Sequence, residues 1–345
     1  MKTFFSLLLM IGVTSLCAQV VPLNPDVLYG KLDNGLTYYI QKNSLPKDRA
    51  MFYMAENAGA INENEEQNGL AHFCEHMAFN GTKAFPDKGI LNYLQSIGVS
   101  FGKGLNAGTS SAMTIYTLND VPTVREGCID SSLLILREWA SNVTYSDAEI
   151  NKERGVIHEE WRTGGGASLR MSKITNPVLY GGSKYANHNV IGEVNVIDNA
   201  APDFLRSYYK KWYRPDLQAI IVVGDIDKEA IRNKIAKLFS DIPKNKNKPE
   251  DVKTLVKDNK DLLVTIATDK EAQNTSIQLY IKHPGAEVKD LNYYKQRLVN
   301  NLYNMMLSDR FNELIQKENP PMLSACSGYS SLTKYQDCYI LYVNA

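Results

Sequence analysis

The pentapeptide His72-Phe73-Cys74-Glu75-His76 constrains both the local fold and the chemistry of this chain. Residues at positions i and i+4 lie on one face of a helix, so both imidazoles can reach a single metal ion. Glu75 lies three residues after His72 and points to the same side, close enough to take a proton from a water that the metal activates. The order of the acid and the two histidines is that of the inverzincin motif, the reverse of H-E-x-x-H.

The residues on either side of the pentapeptide favour an ordered helix. Leu70, Phe73 and Met77 recur at spacings of three and four and would form its apolar face, and Asn80-Gly81 is a natural stop. A histidine on a helix is more often a core residue than a ligand. This chain, however, has only 5 histidines, and two of them flank a glutamate at metal-ligand spacing. The segment therefore predicts a metal-binding helix.

A catalytic zinc usually takes three protein ligands, and a carboxylate is a better candidate for the third than the remaining histidines. The stretch that begins at Asp147 predicts a helix with acids on one face, at Glu149, Glu153 and Glu160. Acids aligned on one face repel one another unless a cation neutralises them. Spacing alone leaves two interpretations open, a metal site and an ordinary solvated face.

Further sequence blocks follow in a fixed order across residues 25 to 240: Gly69–Thr82, Phe85–Pro86, Asn106–Ala107 with Thr109, Thr114–Tyr116, Glu153–Glu160, Trp212–Pro215 and Val222–Ile226. In this order they closely resemble the pitrilysin/insulinase family of zinc metallopeptidases, and most of all the N-terminal half of its large exported bacterial members. The resemblance implies one zinc ion per chain, held by His72, His76 and Glu160. It also implies that Glu153 orients the site from outside the ligand set, and that Glu159 and His158 point elsewhere.

The same resemblance implies a zinc endopeptidase that hydrolyses peptides or unfolded polypeptides. Glu75 would act as the general base on the activated water and would then deliver the proton to the leaving amine. The substrate backbone would pair with the edge of a strand at Asn106 and Ala107. Without the resemblance, Asn106 would be interpreted as a turn residue.

Composition and the N-terminus indicate an exported globular protein. The 38 basic and 38 acidic residues cancel, so no nucleic-acid partner is expected. Lys2, the apolar run 4–13 and Ala18 form a secretory signal peptide over residues 1–18, too short to span a bilayer, and no transmembrane segment is expected after its removal. The predicted location is the bacterial periplasm. A lipoprotein anchor at Cys17 is disfavoured by the bulky Leu16 before it.

The expected fold class is α+β, built from two-layer units of the pitrilysin/mitochondrial-processing-peptidase type. A catalytic domain would cover residues 19–242, shading into a second unit from about residue 203. The Pro-bounded segment 243–249 would be a linker, and 250–345 a partial, non-catalytic second domain. A helix is expected to open at Pro122, and a strand is expected over 262–267. Cys326 and Cys338 would pair only if their strands place them side by side.

The second unit is expected to be incomplete by comparison with the family, whose larger members close two homologous halves around the peptide. A missing C-terminal half or a partner chain is therefore expected. The isolated chain is expected to bind zinc but to hydrolyse peptides weakly or not at all. The alternative function is that of a non-catalytic subunit or fragment that binds peptides or assembles with a second half. Cleavage specificity and oligomeric state do not follow from the sequence.

Overall fold

The computed structural model describes residues 20–345, so the predicted signal peptide over residues 1–18 and the possible anchor at Cys17 lie outside the described part. Two compact units divide it. The larger is Asn24–Asn274, and the smaller is Thr275–Ala345 together with residues 20–23. Helices and mixed sheets occur in succession, which confirms the α+β fold class. Across residues 20–345, no helix combines the length and apolar character needed to cross a bilayer.

The larger unit is a six-stranded sheet with helices packed around it. Its strands are β1 (Val27–Lys31), β2 (Thr37–Lys42), β3 (Arg49–Glu56), β4 (Leu105–Thr109), β5 (Thr114–Pro122) and β6 (Gln218–Gly224). Its helices are α1 (Leu70–Met77), α2 (Gly89–Ser96), α3 (Cys128–Ser141), α4 (Asp147–Gly164), α5 (Ala167–Leu179), α6 (Val194–Asn199), α7 (Pro202–Trp212) and α8 (Lys228–Phe239).

The order of the strands in this sheet is β1-β2-β6-β3-β5-β4, which leaves β4 at an edge. The β2–β6 pair is parallel, and the other pairs are antiparallel. Alternate residues of the central strands, such as Phe52 and Met54 on β3, are fully buried because one face of the sheet is covered by helices. Trp139 of α3 stacks on Tyr116 of β5 with ring centroids 5.0 Å apart. The site described below is built at the β4 end of this core.

The smaller unit contains β7 (Ser276–Pro284), α9 (Leu291–Ile315), β8 (Ser324–Thr333) and β9 (Gln336–Asn344), with strand order β7-β9-β8. Its strands β8 and β9 are adjacent, as a disulfide would require. The register, however, places Cys326 opposite Tyr342 and Cys338 opposite Ser330, and both cysteines are free. The two thiols are four register positions apart, too far for the short Cα separation of a disulfide.

Two expected elements differ from the structure. The helix expected at Pro122 begins instead at Cys128, because β5 continues to Pro122 in pairing with β3 and a turn follows it. The apolar segment 262–267 is not a strand, since no neighbour forms a ladder with it among the described residues. A strand exists only where another backbone completes its hydrogen bonds, and local composition does not report that partner.

A buried carboxyl lies at the end of β3. Glu56 is fully buried, and its Oε2 accepts a hydrogen bond from Nε2 of Gln218 at 2.9 Å. Oε1 of Glu56 and Oε1 of Gln218 have no partner among the described residues. Burial raises the pKa of Glu56 well above its usual value, although the hydrogen bond from Gln218 opposes this. A proton on Oε1 of Glu56 would turn this unpaired acceptor into a donor.

We expect Glu56 to contribute a stability that falls as the pH rises above about 4.5, the usual pKa of a glutamate. Above this pH the folded state keeps a proton on Glu56 that the unfolded chain has released. The contribution of Glu56 to stability is therefore complete at low pH and decreases until the pH reaches the raised pKa of the folded state. Each unit of pKa difference corresponds to about 1.4 kcal/mol. Glu56→Gln should flatten this slope, because an amide cannot titrate and carries its own donor.

Urea unfolding at several pH values between about 5 and 8 measures this effect. Part of the slope should persist in Glu56→Gln, because burial also raises the pKa of Glu63 to about 8. Glu66→Gln, a change at an exposed acid, serves as the control. Parallel profiles for wild type and Glu56→Gln would contradict the assignment of the proton to Glu56.

Candidate metal centre

Helix α1 carries the pentapeptide and is buried along most of its length. It contacts α7, α4 and β4, so its polar side chains face groups from separate parts of the chain. Gly69, its N-cap, has a positive φ of 107° and lies against the backbone of Gly192, where a Cβ would be 2.9 Å from the Cα of Gly192. Only glycine combines this left-handed conformation with so close an approach. The helix is therefore fixed at its start by backbone packing.

The two histidines of α1 converge on one carboxylate of α4. Nε2 of His72 lies 3.7 Å from Oε1 of Glu160, and Nε2 of His76 lies 3.4 Å from Oε2 of the same residue. One ligand atom from each of the three side chains can be chosen so that all lie within 4.8 Å of one another. His72 is buried and Glu160 is exposed, so solvent reaches the cluster from the α4 side. The sequence alone could not choose among the acids of α4, and the structure brings Glu160 to the histidines.

These distances suit a tetrahedral ion. Zinc bonds of 2.0–2.1 Å to nitrogen and oxygen in a tetrahedron separate neighbouring ligand atoms by roughly 3.4 Å. The two histidine-to-glutamate distances of 3.4 and 3.7 Å end on different oxygens of Glu160. One ligand atom from each side chain lies within 4.8 Å of the other two, so the three could close on one ion by small side-chain movements. Two imidazoles and one carboxylate also form a donor set that zinc prefers, with a fourth position free for water. The residues present therefore fit such a metal.

Glu153 fixes the orientation of His76. Its Oε1 lies 2.9 Å from Nδ1 of His76, and its Oε2 accepts a hydrogen bond of 2.6 Å from Nδ2 of Asn80. Burial alone would lower the pKa of His76, but the contact with Glu153 and the nearby acids raise it. The pKa of Glu153 is lowered, because the hydrogen bonds from His76 and Asn80 outweigh its burial. With the proton on Nδ1, the lone pair of Nε2 points toward Glu160.

His72 lacks a comparable support. Burial and the neighbouring His76 lower its pKa to about 4, so the ring is neutral at pH 7 and has a lone pair to offer. Its Nδ1 is buried without a hydrogen-bond partner in the part of the chain that the structure describes. The two rings meet edge to face, with centroids 4.6 Å apart. The position of the His72 ring therefore depends on packing and on its backbone.

Glu75 lies beside the cluster and is held by the edge strand. Its Oε2 accepts a hydrogen bond of 3.0 Å from Oγ1 of Thr109, the last residue of β4. Burial raises the pKa of Glu75, while His76 and the Thr109 hydroxyl lower it. A raised pKa makes a carboxylate a stronger proton acceptor, which suits a general base. Thr109 thereby links this acid to the strand at the sheet edge.

The other residues considered in the sequence lie on β4 and α4. Asn106 is exposed and Ala107 half-buried on β4, which pairs with β5 alone among the described strands. The amide of Ala107 donates to Oδ1 of Asn106 at 2.9 Å. On α4, Glu159 pairs with Arg162 at 2.6 Å and His158 with Asp198 at 3.0 Å, both away from the cluster.

Sequence reasoning missed two polar contributors to the site. Asn80 was interpreted only as part of a helix stop, yet it holds Glu153. Thr109 belongs to a block shared with the resembled family, but nothing in its spacing assigned it to Glu75. The only available signal was the short distance in sequence between Asn80 and His76, which a helix places one turn apart.

Comparison with known proteins gives two family matches. Residues 38–164 match the family model described as insulinase, peptidase family M16, and residues 199–345 match the one described as the peptidase M16 inactive domain. The first range contains every residue of the cluster.

Among curated proteins, the probable zinc protease PqqL of Haemophilus influenzae is 33% identical over 295 residues, which cover 85% of this chain and 32% of that protein. The protein of the same name from Escherichia coli is 33% identical over 302 residues, covering 88% and 32%. The chain spans about a third of the length of these curated relatives.

Among solved structures, the first half of the periplasmic protease PqqL from Escherichia coli superposes with a TM-score of 0.85 at 30% identity, covering 94% of this chain and 69% of that one. The crystal structure of the same protease in the longer form gives a TM-score of 0.86, with 94% and 36% covered. The structure of pitrilysin shares the fold, with a TM-score of 0.71 at 15% identity.

Proposed function

Because the chain belongs to the insulinase family of peptidases, M16, we propose that it is the catalytic part of a zinc endopeptidase that hydrolyses peptides or unfolded polypeptides. The observation that carries this proposal is the convergence of His72, His76 and Glu160, whose ligand atoms lie within 4.8 Å of one another, with Glu75 beside them. Each of these four side chains has a role in hydrolysis that its position suits.

Zinc held by His72, His76 and Glu160 would supply a Lewis acid that lowers the pKa of a water and polarises a carbonyl. Glu75 would accept a proton from the attacking water and deliver it to the leaving nitrogen. Thr109 keeps the carboxylate aligned through its hydroxyl. Glu153 and Asn80 keep the proton on Nδ1 of His76, so that Nε2 stays free to bind the metal.

The proposed place for the substrate is the free edge of β4. An extended peptide that pairs with this edge at Asn106 and Ala107 would run past Thr109, whose hydroxyl contacts Glu75. Hydrogen bonds to the substrate main chain do not depend on its side chains, which suits unfolded substrates of varied sequence. The side chain of Asn106 would release the Ala107 amide as the peptide binds.

Metal removal tests this function. We expect one zinc per chain in the purified protein, and we expect a strong chelator to remove both the zinc and the hydrolysis of an unfolded polypeptide. Adding one equivalent of zinc should restore both. Hydrolysis that persists without metal, or a chain that binds no zinc, would overturn the proposal.

A second candidate function is peptide binding or assembly without turnover. It is favoured by one observation, that the chain spans only 32% of its curated relatives and would act together with a second half or a partner chain. Peptide binding without hydrolysis by the zinc-loaded chain, even when its second half or partner chain is present, would select it. By similarity to the periplasmic protease PqqL, we also propose that the protein is exported to the periplasm of a bacterium.

A further inference from the structure

A buried carboxylate holds the first turn of α1 from outside the helix. Glu63, in the preceding loop, is completely buried. Its Oε2 accepts the amide N–H of Gly69 at 3.1 Å, and its Oε1 accepts that of Ala71 at 2.7 Å. The first amides of a helix have no acceptor within it, and the N-cap Gly69 has no side chain that could provide one. Glu63 therefore replaces the missing cap.

The loop that carries Glu63 is itself held in place. Nζ of Lys184 donates to the backbone oxygens of Ile61 at 3.0 Å and of Glu63 at 2.5 Å. On the other side of the helix start, Nδ2 of Asn68 donates to the backbone oxygen of Asn187 at 3.1 Å. These contacts hold the carboxyl group of Glu63 in place, and its position therefore sets where the first turn of α1 lies.

The two histidines differ in how they are oriented, and this difference gives Glu63 its importance. His76 is fixed through its ring, by the contact between its Nδ1 and Glu153. His72 has no such contact, because its Nδ1 is buried without a partner in the described structure. A ligand ring is commonly oriented by a hydrogen bond at its second nitrogen. For His72, the backbone must do this, and Ala71, whose amide Glu63 holds, is the residue directly before it.

We infer that Glu63 is a positioning residue that fixes His72 for metal binding by holding the first turn of α1. This inference rests on the proposed function, because it requires that the cluster binds zinc. Glutamine is not an equivalent residue here. Both oxygens of a carboxyl group keep acceptor lone pairs whether or not the group carries a proton. A glutamine amide has one acceptor oxygen, and its NH₂ group would face the second backbone N–H, so one of the two hydrogen bonds would be lost.

Three measurements on Glu63→Gln test the inference. Before metal is added, hydrogen exchange in the peptide Gly69–Met77 should be faster than in wild type, because two amides lose their shared acceptor. Zinc affinity, measured by competition with a chelator, should fall by about 10- to 100-fold, the range typical of groups that orient a ligand. The absorption spectrum of the Co²⁺-loaded chain should also change, because one ligand is displaced.

Ile235→Val is the matched control, since it removes a methyl group from a fully buried side chain on α8, a helix that packs against α3 and β2. It should lower the melting temperature without changing zinc affinity or the Co²⁺ spectrum. If Glu63→Gln does not fold, Lys184→Met, which frees the loop and leaves the carboxylate, should show the same changes to a smaller extent.

The outcomes separate the two proposals. A wild-type chain that binds no zinc contradicts the proposed function. A wild-type chain that binds zinc, with unchanged affinity and spectrum in a folded Glu63→Gln, contradicts only the role of Glu63.

Discussion

Replacing Glu75 with glutamine is expected to lower peptide hydrolysis by about 10²- to 10⁴-fold, the contribution typical of a general base. Glutamine has nearly the same shape and can still accept the hydrogen bond from Thr109, but it cannot take a proton from water. Zinc content should not change, because Glu75 is not among the three converging ligands. Hydrolysis of an unfolded polypeptide, measured with enzyme in excess so that slow turnover is resolved, gives the rate.

The control for this variant is Glu66→Gln, which neutralises an exposed acid in the loop before α1. It should leave both the rate and the zinc content at wild-type values. A Glu75→Gln chain that keeps its zinc and hydrolyses as fast as wild type would exclude Glu75 as the base. Loss of zinc in that variant would instead show that Glu75 contributes to the metal site itself.

The second large effect is expected for Glu160→Gln, which should abolish stoichiometric zinc binding. An amide oxygen carries no charge and is a poor zinc ligand. In this variant, zinc would keep only its two bonds to the neutral imidazoles out of three bonds to the protein. The loss of affinity should exceed the roughly 10- to 100-fold expected for Glu153→Gln, whose side chain contacts a ligand but is not one. Zinc per chain after gel filtration, together with chelator competition, measures both.

Glu159→Gln is the matched control for Glu160→Gln. It alters the neighbouring acid on the same helix, which pairs with Arg162 and does not reach the histidines. It should retain one zinc per chain. Equal zinc loss in Glu160→Gln and Glu153→Gln would mean that the two acids cannot be assigned separate roles. Zinc retention by Glu160→Gln would remove this residue from the ligand set.

Most of the elements that support the site could be predicted from local pattern. The pentapeptide and its apolar flanks predict α1, and the acidic stretch that begins at Asp147 predicts α4, which begins at that residue. The predictions were wrong where pairing with another strand determines the structure. The segment 262–267 has strand composition and no strand, and β5 extends to Pro122 because β3 pairs with it.

The sequence by itself determined the histidines and Glu75, because helical periodicity fixes how residues three and four apart face one another. It could not determine which acid on α4 reaches them, since several share one face and only the packing of α4 on α1 brings Glu160 within 3.7 Å of His72. The supports at Asn80, Thr109 and Glu63 likewise came only from tertiary structure. Hydrogen bonds between separate segments depend on distance and direction in space, and a local pattern records neither.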